Sequence, residues 1–429
     1  MKLKKYKLGD IAKIEISGVD KKTIEGETPV RLCNFVDVYY NWAITKEKAK
    51  SFMVASAKQT EIDKCSIGKG MVAITKDSET RDDIGIATYI ADEFEDVLLG
   101  YHCALITPNP AIVDGKYLNA FMHTRYIQKY FENNASGSGQ RYTLSNDTIS
   151  NIPVLLPSIE EQHNIGKLLA DLDRKIELNK QINDNLEAMA KQLYDYWFVQ
   201  FDFPNEEGKP YKSSGGAMVW NEKLKREIPQ GWTAAKIKDV AQTYSGGTPT
   251  STNSEYYDGG DIPWINSGEL NNPIITSTTN YITEEGLNNS SAKLYPQNTV
   301  LVALYGATAG KVSLLSLEAC SNQAVCGVIP QNKIMTTYIR YYLSSLYEHF
   351  ITLSSGSARD NISQDTIKNT ILPIPQGKIL KEFSDAVAPI ISKIIANQKE
   401  MENLTKQRDE LLPLLMNGQA LVNYHLSDD

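Results

Sequence analysis

The sequence predicts an α+β protein in which two mixed α/β globular domains alternate with two long helices. Three observations lead to this prediction: the chain length, an internal repeat and a heptad pattern after each repeat. The 429 residues are too many for one ordinary core, because a domain takes roughly 100 to 200 residues. With 41% hydrophobic and 22% charged residues, the composition is typical of a folded protein and not of a disordered chain.

The strongest signal is a duplication. Residues 141–157 match residues 359–375 at a constant shift of 218, with seven identities in seventeen positions, whereas about one is expected from average composition. The same shift continues into the next segment, where Asn179 meets Asn397. Near the two starts, Lys7 matches Lys236 at a shift of 229. The chain is therefore a direct repeat whose second globular part is 11 residues shorter.

Each globular part shows signals of both strand and helix. Short β-branched and aromatic runs bounded by Gly, Asn and Pro predict strands. Helical spacing of apolar residues predicts helices. The predicted strands are residues 28–38, 71–75, 299–304 and 325–329, and the predicted helices are residues 117–131 and 337–350.

A long helix is predicted after each repeat. Ser158 and Glu161 form the S-x-x-E capping box that opens a helix, and some 40 residues at 1.5 Å rise give roughly 60 Å. Pro389 and Pro413 predict that the second helix is kinked or starts late, and Gly418 predicts its end. Two heptad stripes in matched register favour packing of the helices on each other over packing of each on its own domain. The predicted packing residues are Ile165, Leu172, Ile176, Asn179, Leu186, Leu193, Ile390, Ile394, Asn397, Leu404 and Leu411.

These signals divide the chain into six segments. The predicted segments are a first globular domain at 1–157, a first long helix at 158–199, a linker at 200–231, a second globular domain at 232–375, a second long helix at 376–420 and a tail at 421–429.

Charge and cysteine content limit the classes of function. The net charge of −8 provides no overall basic field for nucleic acid. Locally, residues 116–143 carry +3 and residues 331–372 carry +1. The odd count of five cysteines without a C-x-x-C pair argues against a disulfide framework or a zinc site. Since no apolar run reaches membrane-span length, a cytoplasmic location is expected.

Enzyme motifs are incomplete. Residues 306–312 imitate a phosphate-binding loop, but three residues separate the glycines where four are needed, and Val312 replaces the Ser or Thr that binds magnesium. A glycine turn after the strand at 299–304 is the favoured interpretation. There is no Pro-Pro dipeptide of the kind that DNA amino-methyltransferases use, and the five histidines have no metal-ligand spacing.

Several motifs resemble the specificity subunits of type I restriction-modification systems, in order along the whole chain. They are the runs at 160–162, 172–179 and 197–204, the linker runs at 208–216 and 227–232, the runs at 246–249 and 262–264, and the ending at 408–418. The resemblance implies two target-recognition domains, 1–157 and 232–375, that read a bipartite DNA sequence and are separated by two antiparallel helices. It also implies docking of modification (methyltransferase) subunits, two of them expected, and of restriction/translocase subunits. S-adenosylmethionine, ATP and Mg would then be bound by those partners, with no catalytic residue, cofactor or metal in this chain.

Two loops at matched positions are candidates for DNA contact. Gly and Ser allow close approach to phosphate, while Arg, Gln and Asn can make paired hydrogen bonds to base edges. The alternative interpretation is a structural turn whose arginine pairs with a local carboxylate. The candidate residues in these loops are Gln140, Arg141, Tyr142, Arg359 and Asn361, and two more, Tyr305 and Thr308, lie at the glycine turn after the strand at 299–304. Within the helices, Asn179 and Asn397 are expected to pair near the midpoint and fix the register.

Two other functions remain open from the sequence. One is a self-contained DNA methyltransferase or nuclease, which the missing catalytic motifs oppose. The other is a coiled-coil adaptor with no role at DNA, which a DNA pull-down with and without partner subunits would distinguish from a DNA reader.

Overall fold

The computed structural model describes residues 2–137, 140–355 and 361–422, with residues 353–355 described by their backbone alone. The chain forms two compact units: a first unit of residues 1–178 and 401–429, and a second unit of residues 179–400. Each long helix begins in one unit and ends in the other. No helix in these ranges is long and apolar enough to cross a membrane.

The first unit contains mostly short strands and helices. Strands β1 to β13 are Lys4–Lys7, Ala12–Ile16, Thr28–Cys33, Ala43–Ile44, Met53–Ala57, Val72–Thr75, Asp77–Ser78, Ala87–Ile90, Val97–Leu99, Cys103–Pro108, Ser136–Gly137, Tyr142–Thr143 and Pro153–Leu156. Helices α1 to α7 are Leu8–Ile11, Phe35–Tyr39, Lys46–Ala49, Gln59–Cys65, Gly115–Met122, Arg125–Asn134 and Asn146–Ser150. The first long helix, α8, is Ile159–Tyr194 and runs into a π-helical turn at Asp195–Val199.

The second unit has a similar sequence of elements. Strands β14 to β25 are Met218–Asn221, Arg226–Pro229, Thr233–Lys236, Ala241–Ser245, Ile262–Ile265, Ile274–Ile275, Tyr281–Ile282, Val300–Ala303, Val312–Leu315, Cys320–Ser321, Val325–Pro330 and Ile371–Ile374. Helices α9 to α13 are Ile237–Val240, Glu284–Asn288, Thr336–Ser345, Tyr347–Ser355 and Gln364–Asn369. Short 3-10 helices lie at Ser254–Tyr256, Ser267–Asn271 and Lys333–Met335. The second long helix, α14, is Gly377–Met416.

The two units repeat one sheet topology. The five-stranded sheet has the order β2-β10-β6-β8-β4 in the first unit and β17-β24-β21-β22-β19 in the second. In both sheets the last strand pairs in parallel and the other pairs are antiparallel. Both units also contain a three-stranded sheet, β5-β3-β9 or β20-β18-β23, and a two-stranded sheet, β1-β13 or β16-β25. The duplication therefore extends through the regions where the two sequences differ.

The alternation of strand side chains builds a core on both faces of each five-stranded sheet. In β6, Val72 and Ile74 pack in one cluster with α5, while Ala73 packs in another on the opposite face. In β21, Val302 packs in one cluster, and Leu301 packs in another cluster on the opposite face of the sheet. A matched hydrogen bond joins a helix to the last strand: the Tyr117 hydroxyl donates to the Leu155 carbonyl at 2.7 Å. In the second unit, the Tyr338 hydroxyl donates to the Pro373 carbonyl at 2.5 Å in the same way.

Both long helices form, and they run antiparallel within each unit. The capping box opens α8, with Glu161 N donating to Ser158 Oγ at 3.3 Å and Ser158 N donating to Glu161 Oε2 at 3.0 Å. In the second unit, Asn179 lies against Glu400 and Phe198 against Phe383. From the first of these contacts to the second, the residue number increases along α8 and decreases along α14, so the two helices run in opposite directions. The fold class predicted from the sequence is therefore confirmed.

The midpoint of the helix pair differs from the expectation. Asn397 Nδ2 donates to Asn183 Oδ1 at 2.9 Å, and Asn183 donates to the Ile394 carbonyl at 3.2 Å. Asn179 donates instead to Glu400 Oε2 at 2.9 Å. Asn179 and Asn397 are equivalent in the repeat, but antiparallel pairing places opposite Asn397 a residue four positions beyond its equivalent. The expected pair of equivalent asparagines is therefore wrong, and Asn183 is the residue missed.

The other predicted packing residues differ in burial. Ile165, Asn179, Ile394, Asn397 and Leu404 are buried. The half-buried ones are Leu172, Ile176, Leu186, Leu193, Ile390 and Leu411.

Some local predictions are also wrong. The predicted strand at 28–38 ends at Cys33, and helix α2 follows, because Asn34 and Asp37 form a capping box. The predicted helix at 117–131 is two helices, because the Thr124 side chain accepts from Ile127 N and starts α6 afresh. Helix α14 neither starts late nor breaks at Pro389 or Pro413. It ends next to Gly418, which has a φ of 71°, as the sequence predicted.

Candidate DNA interface

An open cleft of about 510 Å³ lies at one end of the five-stranded sheet of the first unit. We call it the Arg141 cleft; it is lined by Ser17, Lys76, Asp77, Tyr101, His102, Ser136, Gly137, Arg141 and Thr143. Strand β6 leads into it through Lys76 and Asp77, and His102 directly precedes β10.

The Arg141 loop is tied to this sheet end by strand pairing. Strand β12 pairs with β7, so that Thr143 faces Asp77, and it pairs with β11, so that Gly137 faces Tyr142. A side chain at Gly137 would place its Cβ 2.1 Å from the Arg141 carbonyl oxygen. A glycine is therefore required for this close approach.

Three charged or titratable side chains meet inside the cleft. The Nδ1 atom of His102 lies 2.5 Å from Asp77 Oδ2. Arg141 Nη2 lies 2.5 Å from Nδ1 and 2.8 Å from Nε2 of the same ring, so it follows the edge of the imidazole that faces Asp77. Arg141 Nη2 is also 3.6 Å from Asp77 Oδ2. We call these three residues the Asp77–His102–Arg141 cluster.

Asp77 is the anion that holds the cluster together. Burial raises the pKa of its carboxyl group, but hydrogen bonds from Thr143 and His102, together with the nearby Lys76 ammonium, lower this pKa by more, to below its ordinary value. Lys76 Nζ lies 3.2 Å from Asp77 Oδ1. The carboxylate therefore stays ionised at neutral pH and partly neutralises two cations.

His102 is held in an uncommon backbone conformation with a φ of 71°. Non-glycine residues in this left-handed region are uncommon, although His is enriched among them, and they concentrate at functional sites. Its ring packs 4.0 Å from the ring of Tyr101, centroid to centroid. The conformation directs the imidazole between Asp77 and Arg141.

The structure brings the first predicted loop to this cleft. Gln140 is exposed, and the Arg141 side chain is 57% exposed. Tyr142 is half-buried, and the guanidinium of Arg81 lies 4.9 Å from the centroid of its ring. Sequence reasoning missed Asp77 and His102. Both residues lie next to the ends of core strands. This position indicates a shared site only when the pairing of those strands is known.

The corresponding position in the second unit carries different side chains. Tyr305 forms a β-bridge with Asn361, as Asp77 does with Thr143, and Ala324 precedes β24 where His102 precedes β10. Nearby, the hydroxyl of Thr248 hydrogen-bonds Gln323. This position therefore presents hydroxyl and amide groups.

Not every residue of the second unit that was predicted to contact DNA is accessible at the surface. Thr308 is only 5% exposed, so we remove it from the candidate contacts. Tyr305 is half-buried and Asn361 is exposed. Arg359 lies outside the described residues.

The segment that imitates a phosphate-binding loop is a turn. Gly306 and Gly310 have φ values of 84° and 80°, and Lys311 Nζ donates to Asn271 Oδ1 at 2.7 Å. It follows β21 directly, as the sequence predicted for a glycine turn. Its lysine is bound to a neighbouring amide.

The basic residues counted in the local charges are not all available to DNA. Arg340 is 2% exposed, and its Nη2 donates to Glu187 Oε1 at 2.7 Å and to the Pro273 carbonyl at 3.1 Å. In the first unit, Lys129 and Arg125 lie 2.9 Å and 3.6 Å from carboxylate oxygens of Glu132, but their side chains stay 60% and 77% exposed. The sequence could not show that Arg340 is a buried structural cation.

The fold defines a protein with two mixed α/β domains on one duplicated scaffold. The profile of the family described as the type I restriction modification DNA specificity domain matches residues 2–188 and 229–406. The chain therefore belongs to this family.

Comparisons with individual proteins agree with the family. The chain is 28% identical over 396 residues to the type I restriction enzyme HindI specificity subunit of Haemophilus influenzae, covering 80% of this chain and 85% of the relative. It is 28% identical over 322 residues to the MjaIX specificity subunit of Methanocaldococcus jannaschii, covering 74% and 71%. The crystal structure of a type I system S subunit from M. genitalium aligns with a TM-score of 0.58 at 15% identity, covering 96% of both chains. This last similarity concerns the fold.

Proposed function

We propose that this chain is the DNA-specificity subunit of a type I restriction-modification complex. The first unit and the second unit each read one half of a bipartite target, and the two long helices fix the distance between the halves. The family membership and the names of the relatives support this function.

One observation supports the proposal that the two units recognise different half-sites. The two units repeat the same strand order, yet Asp77 and His102 of the first unit are replaced by Tyr305 and Ala324 at the equivalent strand ends. A repeated scaffold with different side chains at one position is what the recognition of two unlike half-sites requires, because base edges are distinguished by the donors and acceptors that face them.

The chemistry is assigned to partner subunits. In this proposal, modification subunits bind S-adenosylmethionine and methylate the target, restriction/translocase subunits use ATP and Mg, and this chain is not itself catalytic. The partners would also supply much of the contact with phosphate, since this chain carries a net charge of −8.

The test is to map DNA methylation in cells that express the chain with its modification subunits. We expect a bipartite motif with a fixed gap, which disappears when this chain alone is omitted. A continuous short palindrome would contradict the two-reader scheme. Methyl transfer by the purified chain would show a self-contained enzyme instead.

A further inference from the structure

The Arg141 guanidinium is oriented by two neighbours. In the described residues its polar contacts run through Nη2, to His102 Nδ1 and Nε2 at 2.5 Å and 2.8 Å and to Asp77 Oδ2 at 3.6 Å. A guanidinium that pairs with two acceptors must hold its plane, so Arg141 is prepared for a directional paired contact and not only for a diffuse attraction to the DNA backbone.

The charges of the cleft favour the same conclusion. The Asp77 carboxylate lies within 3.6 Å of both Arg141 and Lys76, so it weakens their general attraction for the DNA backbone. What remains is a directional donor group whose side chain is 57% exposed. This arrangement favours reading a base over anchoring a phosphate.

The conformation of His102 adds a third observation. Its φ of 71° is an unusual backbone state, and the imidazole contacts both the Asp77 carboxylate and the Arg141 guanidinium. A residue kept in such a state between two functional groups is typical of a preorganised site.

We infer that Arg141 reads a guanine in the half-site bound by the first unit, and that His102 is the residue that positions it. Guanine alone presents two adjacent acceptors, O6 and N7, in the major groove, and arginine is their common partner. At the equivalent place of the second unit, Tyr305 and Ala324 replace Asp77 and His102. The contact therefore belongs to one half of the target. This inference rests on the proposed function.

The test is selection of binding sites from random duplex DNA by the full chain assembled with its modification subunits. With Arg141→Ala, we expect the preference for guanine at one position of one half-site to fall by about 5- to 150-fold, while every other position stays unchanged. Arg141→Lys keeps the charge but not the rigid planar pair of donors, so it should retain affinity and weaken the same preference.

His102→Asn tests the positioning role. Asparagine tolerates the left-handed backbone, so the thermal stability of the chain should stay close to that of the wild type while the guanine preference weakens at the same position. A merely structural role would lower stability without changing the selected motif. Arg125→Ala is the matched control, since it removes one positive charge from α6 outside the cleft.

Three results would overturn the inference. The first is weaker binding of Arg141→Ala to all sequences with an unchanged motif, which would identify a phosphate contact. The second is an Arg141→Ala complex whose base preferences change in the half-site that the second unit binds. The third is a guanine preference in Arg141→Lys that is as strong as in the wild type. A wild-type complex that selects no bipartite motif would instead refute the proposed function, on which the inference depends.

Discussion

Single asparagines at the midpoint of the helix pair show how a residue can be recognised while its partner is missed. The heptad pattern identified Asn179 and Asn397. It did not identify Asn183, which follows Asn179 by four residues. Asn183 occupies the other apolar position of the same heptad and is buried. The antiparallel direction was expected, but the axial register of the two helices was not, because repeat similarity does not contain it.

The Asn183–Asn397 hydrogen bond gives a first prediction. Asn397→Ala removes the donor to Asn183 Oδ1 and should lower the free energy of unfolding by about 1 to 3 kcal/mol, because a buried acceptor loses its partner. Denaturant unfolding of the purified chain measures this. The double variant Asn183→Leu with Asn397→Leu should lose less than the sum of the single variants. Additive losses would show that the two amides do not interact.

Asp173 gives a pH-dependent prediction. Burial raises the pKa of its carboxyl group to about 6, although Lys48 and Arg408 lower it. An acid whose pKa is higher in the folded state favours folding when protonated, so this contribution is lost as pH rises from about 4 to about 6. Asp173→Asn should therefore reduce the loss of stability across this window.

The comparison must be made as a difference from the wild type. His123 acts in the opposite sense, because burial lowers the pKa of its imidazole to about 4 and its contribution is lost as pH falls below about 6.5. Thermal melts from pH 4 to 7 of wild type, Asp173→Asn and the control Asp171→Asn would separate these effects. Asp171 is on the same helix but 55% exposed. Equal pH profiles for the two variants would refute the role of Asp173.

At the level of elements, each unit joins its globular part to a long helix by a charged network. In the first unit, Lys48 of α3 lies 3.1 Å from Glu177 of α8, and Arg408 of α14 lies 4.7 Å from the centre of the Trp42 ring. In the second unit, Arg340 of α11 bonds Glu187 of α8. The sequence predicted the helices from their capping and heptads, but these networks join residues far apart in sequence, and no local pattern indicates them.

The Arg340–Glu187 pair gives a prediction at this scale. Glu187→Ala leaves the guanidinium of Arg340, 2% exposed, without its carboxylate, and should cost about 3 to 5 kcal/mol. Denaturant unfolding would measure the loss. Asp184→Ala, an exposed acid on the same helix, is the matched control with little expected effect. A small loss for Glu187→Ala would mean that water or another group satisfies Arg340.

At the level of the whole molecule, duplication was the part of the architecture most accessible from sequence. A constant shift of 218 predicted two globular parts and two helices, and the family profile matches two regions. The strand order within each unit was not predictable, because it depends on pairings such as β2 with β10 that no local pattern encodes. For the same reason the Arg141 loop was found, but Asp77 and His102 were not.

The acidic composition gives a prediction for the whole chain. With a net charge of −8, few counterions are released on binding DNA, so the isolated chain should bind its target weakly at physiological salt and much more tightly with its modification subunits. Titration of one labelled duplex at several salt concentrations, with and without partners, measures this. Equally tight and specific binding by the isolated chain would contradict it.

The antiparallel pairing at the midpoint also limits how the chain can change in length. Asn183 faces Asn397, so lengthening one helix alone by three or four residues would shift every later layer against its neighbour. A whole heptad inserted into both helices on the same side of this layer would keep the seam in register, whereas three or four extra residues would have to be absorbed by local overwinding or unwinding of the helix pair.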